Sequence, residues 1–318
     1  MSALVAFGLL DNPFDNELFV PTVVRIALLL GLGALMVLVV ERRRLARLRQ
    51  SSLYQKVLSW SIMAPTFLAA IFIGGPVGGI VVGFLIVQGL SEYNHLVGID
   101  RSYARLVIAA GLATMVLTGV LTRFFLFAPL GFFMVVTMLP ILTGRIENAH
   151  RQVTMTLFGY IYIPFFLCYL VFIRAVEPAG VEILIVVGLA VALSDILAFV
   201  SGSLIGGPKL APRVSPNKTW AGATGNVVGA YAGWLVMWFA LPGTWTTATR
   251  LLAPLMIGVA ALYGDLVQSL IKRDFGVKDA GDLLPGFGGL LDRIDSLLVA
   301  LPVGYYTIIV TQYFTHQP

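Results

Sequence analysis

Ten stretches of about twenty apolar residues, joined by short polar connections, leave this chain one solvent for most of its length. The runs fall near 21–40, 57–74, 77–97, 105–122, 124–143, 154–173, 181–206, 221–241, 251–271 and 296–314. About twenty residues of helix cross the hydrocarbon core of a bilayer. No water inside that core satisfies backbone N–H and C=O groups, so each run must bond within itself as a helix. Only 12% of the residues are charged and 58% are hydrophobic, with a mean hydropathy of +0.91. A soluble domain is nearer a quarter charged. The expected fold is all-α: a polytopic helical bundle of about ten helices, or eight to ten if a run is re-entrant.

The basic residues orient the bundle. With the N-terminus outside, alternate connections lie inside. All 21 Lys and Arg except Arg25, Arg123, Arg174 and Arg250 then fall on the inner, cytoplasmic side. Positive residues favour that side. The same rule accounts for the net charge of +5, so no nucleic-acid partner is needed. Cys168, the single cysteine, lies in an apolar run and allows neither an intrachain disulfide nor a cysteine metal cluster. The first apolar run is followed by its basic segment rather than preceded by one, and reads as a retained helix rather than a cleaved signal. Residues 1–175 are apolar spans with plain loops, a scaffold open to lipid or oligomer contacts, including a homodimer. Residues 176–318 hold nearly all the distinctive polarity, in loops placed at the cytoplasmic face. The expected location is an integral membrane one, the bacterial inner membrane.

That polarity is concentrated. Ser269 to Asp295 carries five Asp and four Lys/Arg in 27 residues. Charge beside a membrane is costly without partners or a task. Asp265, Ser269 and Lys272 are spaced four and three apart and share a helix face. Lys278 and Asp279 follow, then Pro285-Gly286-Phe287-Gly288-Gly289, whose glycines permit positive φ and close approach to a ligand. Asp292-Arg293-Ile294-Asp295 opens the last run. Its two carboxylates sit one helical turn apart and suit Mg²⁺, which combines a few carboxylates with phosphate oxygens and water. Upstream, Ser215-Pro216-Asn217-Lys218-Thr219 enters a helix at Trp220 and offers hydroxyls, amides and a cation to an anion. Asp195 lies well inside its run, with Phe199, Gly202 and Gly206 expected on its face. Glu92 and His95 read as residues of the cytoplasmic interface. His150 and His316 show no partner pattern, and Trp60, Trp220, Trp234, Trp238 and Trp245 read as belt residues at span ends.

The stretch Ser269, Lys272, Arg273, Lys278, Asp279, Pro285, Gly286, Gly288, Gly289, Asp292, Arg293 and Asp295 resembles, in register, the signature of the CTP:phosphatidate cytidylyltransferases, the CDP-diacylglycerol synthases. The Ser215-Pro216-x-Lys218-Thr219 loop and the intramembrane Asp195 resemble that family too. The likeness covers about residues 185–300, while the first half matches only as generic membrane helices. Two positions depart from the pattern: Phe287 where the family has His, and Ala221 where it has Glu.

The resemblance implies transfer of the cytidylyl group of CTP to phosphatidate, giving CDP-diacylglycerol and pyrophosphate in phospholipid biosynthesis. It implies that Asp265, Asp292 and Asp295 hold Mg²⁺, with room for a second cation. Lys272, Arg273, Lys278 and Arg293, with Asp279, would act around the triphosphate. Asp195, Ser215, Pro216, Lys218, Thr219, Ser269, Gly286, Gly288 and Gly289 would contact substrate. Two other readings of the charged segments stay open: an ion-coupled transporter using Asp195 and Asp265, and a divergent or silent relative acting on another lipid phosphate.

Overall fold

The computed structural model describes residues 11–40, 52–175, 179–281 and 288–315. Pro285, Gly286 and Phe287 of the glycine turn lie outside them, as does His316. The described residues form a helical bundle with one small hairpin. Its helices are α1 (Phe19–Val40), α2 (Ser52–Phe72), α3 (Gly75–Val97), α4 (Arg101–Val120), α5 (Ala128–Thr143), α6 (Ala149–Tyr160), α7 (Phe166–Arg174), α8 (Gly180–Leu204), α9 (Trp220–Val236), α10 (Thr247–Asp274) and α11 (Leu291–Thr315). A π-turn, Ile161–Phe165, joins α6 to α7 as one continuous rod. Pro164 sits inside it, and a proline has no N–H to give to a regular helix. Among the described residues, eight helical rods are long and apolar enough to cross a membrane. The chain is an integral membrane protein. Helix α9 is shorter, with 17 residues.

The outer faces are those of a protein dissolved in lipid. Leu28, Leu32, Leu35 and Leu38 of α1 and Met134, Ile141 and Leu142 of α5 are all exposed. The centre is occupied by the α6–α7 rod with α8, α10 and α11. Ile163, Leu167, Val186, Ile257, Leu298 and Leu301 are fully enclosed there.

Helices α8 and α9 approach backbone to backbone. Gly225, Gly229 and Gly233 repeat every four residues and line one face of α9. A Cβ on Gly233 would come within 2.6 Å of the Ala190 Cα, and one on Gly229 would strike the Leu193 carbonyl. With lipid tails as apolar as leucine, such close van der Waals contact is a main source of helix association. Ser194 adds a bond across the seam, donating its hydroxyl to the Asn226 carbonyl at 2.8 Å. Helices α10 and α11 are joined in the same way, with no room for a side chain at Gly264 against the Asp295 backbone.

Between α8 and α9 the chain makes an antiparallel hairpin, β1 (Lys209–Ala211) and β2 (Ser215–Thr219), with Lys209 opposite Thr219 and Ala211 opposite Ser215. The sequence reading expected only a loop there. Pro216 fits because a proline is tolerated on a strand with a free edge. Thr219 then caps α9, its hydroxyl accepting the Gly222 N–H at 3.1 Å. Helix α8 ends at Leu204, so Gly206 does not share a helix face with Asp195. Gly206 instead turns the chain at φ 66°. Trp234 is not a belt residue: it is buried and packs on Trp245 at 5.6 Å between ring centroids.

Candidate active site

Four elements bring charge to one end of the bundle: the hairpin, the last turns of α10, the first turn of α11 and, from the first half of the chain, the end of α3. The opposite end has its own pair, Arg174 with Asp11 at 2.7 Å. An apolar cleft of about 300 Å³ between α1 and α2, lined by Phe19, Val23, Leu68 and Phe72, lies at that opposite end.

Two lysine–carboxylate pairs interlock the elements. Lys218 on β2 meets Asp265 on α10 at 2.6 Å. Lys272 on α10 meets Asp292 on α11 at 2.6 Å, with both side chains largely buried. Asp265 also accepts a bond from the Ser269 hydroxyl, one turn along α10, at 3.4 Å. Asp292 uses its other oxygen to take the Ala280 N–H at 2.8 Å and the Gly289 N–H at 3.3 Å. The carboxylate thus ties the loop on both sides of the glycine turn to the helix that follows. Gly288 stands at φ 76°, in the left-handed region, beside Asp279 and Asp292. Glycine enters that region without a Cβ penalty.

Deeper in, Asp295 is buried and accepts its neighbour's N–H, from Ser296, at 2.7 Å. The Ser296 hydroxyl donates to Asp195 on α8 at 3.1 Å. Asp195 and Asp265 each place a negative charge near Asp295. Tyr162, from the π-turn, is buried beside α10. Its hydroxyl donates to the Gly264 carbonyl at 3.4 Å.

Around this centre, Arg273 spans α10 and the hairpin, donating to the Val277 carbonyl at 3.1 Å and the Val214 carbonyl at 3.4 Å. Arg273, Lys278 and Asp279 are exposed at the rim, with Pro216, whereas Arg293 is half-buried on α11. Ser215 is half-buried at the start of β2. Thr219 is buried and committed to its helix cap. The candidate site residues within the described part therefore lie toward one end of the bundle.

As they stand, Asp265 and Asp292 are engaged by lysines. Among the described residues no group of three or more His, Cys, Asp or Glu is set to hold a metal ion. The donors, carboxylate oxygens contributed by α8, α10 and α11, are of the kind that would suit a hard cation.

The model of the cytidylyltransferase family matches residues 54–311. The chain belongs to the cytidylyltransferase family. A phosphatidate cytidylyltransferase of Brucella abortus is 44% identical over 149 residues, covering 46% of this chain and 54% of that protein. One of Synechocystis is 38% identical over 133 residues, 42% of this chain and 45% of that protein. An uncharacterised Escherichia coli protein, YnbB, is 39% identical over 189 residues, 58% of this chain and 63% of that protein. The chain spans about half the length of the curated relatives it first matches.

Glu92, read from sequence as a residue of the cytoplasmic interface, is enclosed by protein at that end of the bundle. It is 6% exposed and accepts the Leu290 and Leu291 N–H groups at 2.9 Å each. Its partners lie almost two hundred positions away, so no local spacing announces them. The available signal was an acid at the end of an apolar helix with Gln88 one turn before it.

Proposed function

We propose that this chain transfers the cytidylyl group of CTP to phosphatidate, forming CDP-diacylglycerol and pyrophosphate at the cytoplasmic face of a bacterial inner membrane. The observation that carries this reading is the interlocked pair of ion pairs, Lys218–Asp265 and Lys272–Asp292. Two ammonium groups and the adjoining carboxylates meet where hairpin, α10 and α11 converge. That arrangement offers cations to phosphates and carboxylates to a metal within one site. The near-exclusive placement of Lys and Arg on alternate connections supports the cytoplasmic assignment.

In the reaction, a phosphate oxygen of phosphatidate attacks the α-phosphorus of CTP. The bond from that phosphorus to the α,β-bridging oxygen breaks, and pyrophosphate leaves with its electron pair. A phosphomonoester is largely dianionic near neutral pH, its second pKa being about 6, so the attacking oxygen needs no strong base. The requirements are alignment of two polyanions and neutralisation of charge.

Lys218 and Lys272 leave their carboxylates for phosphate oxygens when nucleotide enters. Arg273 and Lys278, exposed at the rim, attract the triphosphate and the departing pyrophosphate. Asp265 and Asp292, with Asp295 behind them, would hold Mg²⁺. Bound there, the ion would offset charge on the nucleotide phosphates. Ser296 links Asp295 to α8, giving its N–H to Asp295 and its hydroxyl to Asp195. The acyl chains of the lipid stay in the bilayer beside α10 and α11.

The test is direct. Purified full-length protein is mixed with labelled CTP, phosphatidate vesicles and Mg²⁺, and the lipid phase is resolved by chromatography. A labelled CDP-lipid is expected. Its absence with phosphatidate, while another lipid phosphate is labelled, would overturn the acceptor. Absence with every lipid phosphate would overturn the reaction.

A further inference from the structure

Helix α3 belongs to the half of the chain read as scaffold, yet one of its side chains reaches the catalytic end. Glu92 divides its carboxylate between two consecutive amides, Oε1 taking the Leu290 N–H and Oε2 the Leu291 N–H. Gln88 donates to the same Oε1 at 2.9 Å and so fixes the plane of the group. The backbone on both sides of the glycine turn is pressed against it. A Cβ on Gly281 would stand 2.9 Å from Glu92 Cγ, and one on Gly289 would stand 2.5 Å from Glu92 Oε2.

The first amides of a helix have no partner inside it. They often bind phosphate. Here Glu92 already occupies those at the start of α11, and Asp292 occupies those of Ala280 and Gly289. These four amides are therefore not a phosphate cradle, and anion binding falls to the lysines and Arg273. What Glu92 governs instead is geometry. Asp292 and Asp295 are the second and fifth residues of α11. Each residue of a helix turns it by about 100° and raises it by about 1.5 Å. A slip at the first turn therefore misaims both carboxylates together.

We infer that Glu92 is a positioning residue: it clamps the Gly281 and Gly289 backbones to the first turn of α11 and so aims Asp292 and Asp295. The inference rests on the cytidylyltransferase reading for the reaction it serves, and its test is arranged to survive the failure of that reading.

Wild type, Glu92→Gln and Gln88→Leu are purified full-length in detergent. Mn²⁺ binding is titrated by electron paramagnetic resonance without substrate, thermal unfolding is recorded, and CTP turnover is measured against Mg²⁺. Removing a group that orients metal-binding side chains costs about 10- to 100-fold in metal affinity or activity. Glu92→Gln should weaken Mn²⁺ binding and lower kcat by such a factor, with the KM for CTP held within about threefold. Gln88→Leu should move both in the same direction by less, and carries the test if Glu92→Gln does not accumulate. Wild-type Mn²⁺ affinity in both variants overturns the inference, whether or not they unfold earlier, because a purely structural role leaves metal affinity alone. Absence of Mn²⁺ binding by the wild type overturns it as well. If the wild type makes no CDP-lipid, the proposed reaction falls and the Mn²⁺ titration still decides the role of Glu92.

Discussion

Changing Asp292 to Asn separates what this carboxylate does for the fold from what it does for the reaction. The side chain receives Lys272 at 2.6 Å, Ala280 at 2.8 Å and Gly289 at 3.3 Å. The two members of the ion pair are only 12% and 11% exposed. An asparagine keeps one oxygen and sets an NH₂ group against a donor. The stranded ammonium of Lys272 then costs about 3–5 kcal/mol, the usual result of removing one member of a buried pair. Native proteins hold about 5–15 kcal/mol in reserve, so the variant folds with a lowered unfolding midpoint. Adding Lys272→Met removes the stranded charge. With no charge left unpaired, the double variant should regain most of the loss, on the order of 2–4 kcal/mol. Its CTP turnover should not return, since carboxylate and ammonium are both gone. The assay pairs denaturant titration in micelles with conversion of labelled CTP to CDP-lipid, for each single variant and the double. A double variant no more stable than Asp292→Asn would refute the charge-coupling argument. Turnover by Asp292→Asn within about tenfold of wild type would refute the chemical role of the carboxylate.

Other substitutions probe neighbouring contacts. Gly281→Ala forces a methyl onto Glu92 and should cost about 1–3 kcal/mol, the usual range for overpacking; combining it with Glu92→Ala should relieve the clash, seen as a non-additive change in unfolding midpoint. Lys218→Met should cost little stability: it takes a mostly buried ammonium out of the fold, and the Asp265 it leaves is 39% exposed and open to water. It should nevertheless lower kcat/KM for CTP by about 10- to 100-fold, the worth of a lost charged hydrogen bond. Thr219→Ala removes the cap of α9 and should cost about 1 kcal/mol, read from denaturant titration, with wild-type stability counting against the cap.

Membrane spans were legible because every residue of a run reports its solvent. The runs drawn near 221–241 and 57–74 correspond to α9 and α2, with bounds shifted by a few residues. The hairpin was not legible: Lys209–Ala211 is three residues long and Ser215-Pro216 has the composition of a turn. Thr219 was readable as a helix start, since a capping hydroxyl acts three residues ahead of itself. The Lys272–Asp292 contact was not, because both groups were visible as chemistry but their pairing depends on how the glycine turn folds back. Trp234 misled for a different reason. A tryptophan near a span end looks the same in sequence whether it meets headgroups or, as here, a second tryptophan.

The α8–α9 seam has a consequence for what can change in this protein over time. Most helix interfaces are filled by side chains, and a substitution on one side can be answered by another opposite. Where Gly229 and Gly233 meet the backbone of α8 there is no filler to exchange. A side chain at either glycine would have to push the helices apart. The spacing between Asp195 on α8 and the hairpin that leads into α9 is thus set by main chain against main chain, and a single methyl group added at the seam would be felt at the charged end of the bundle.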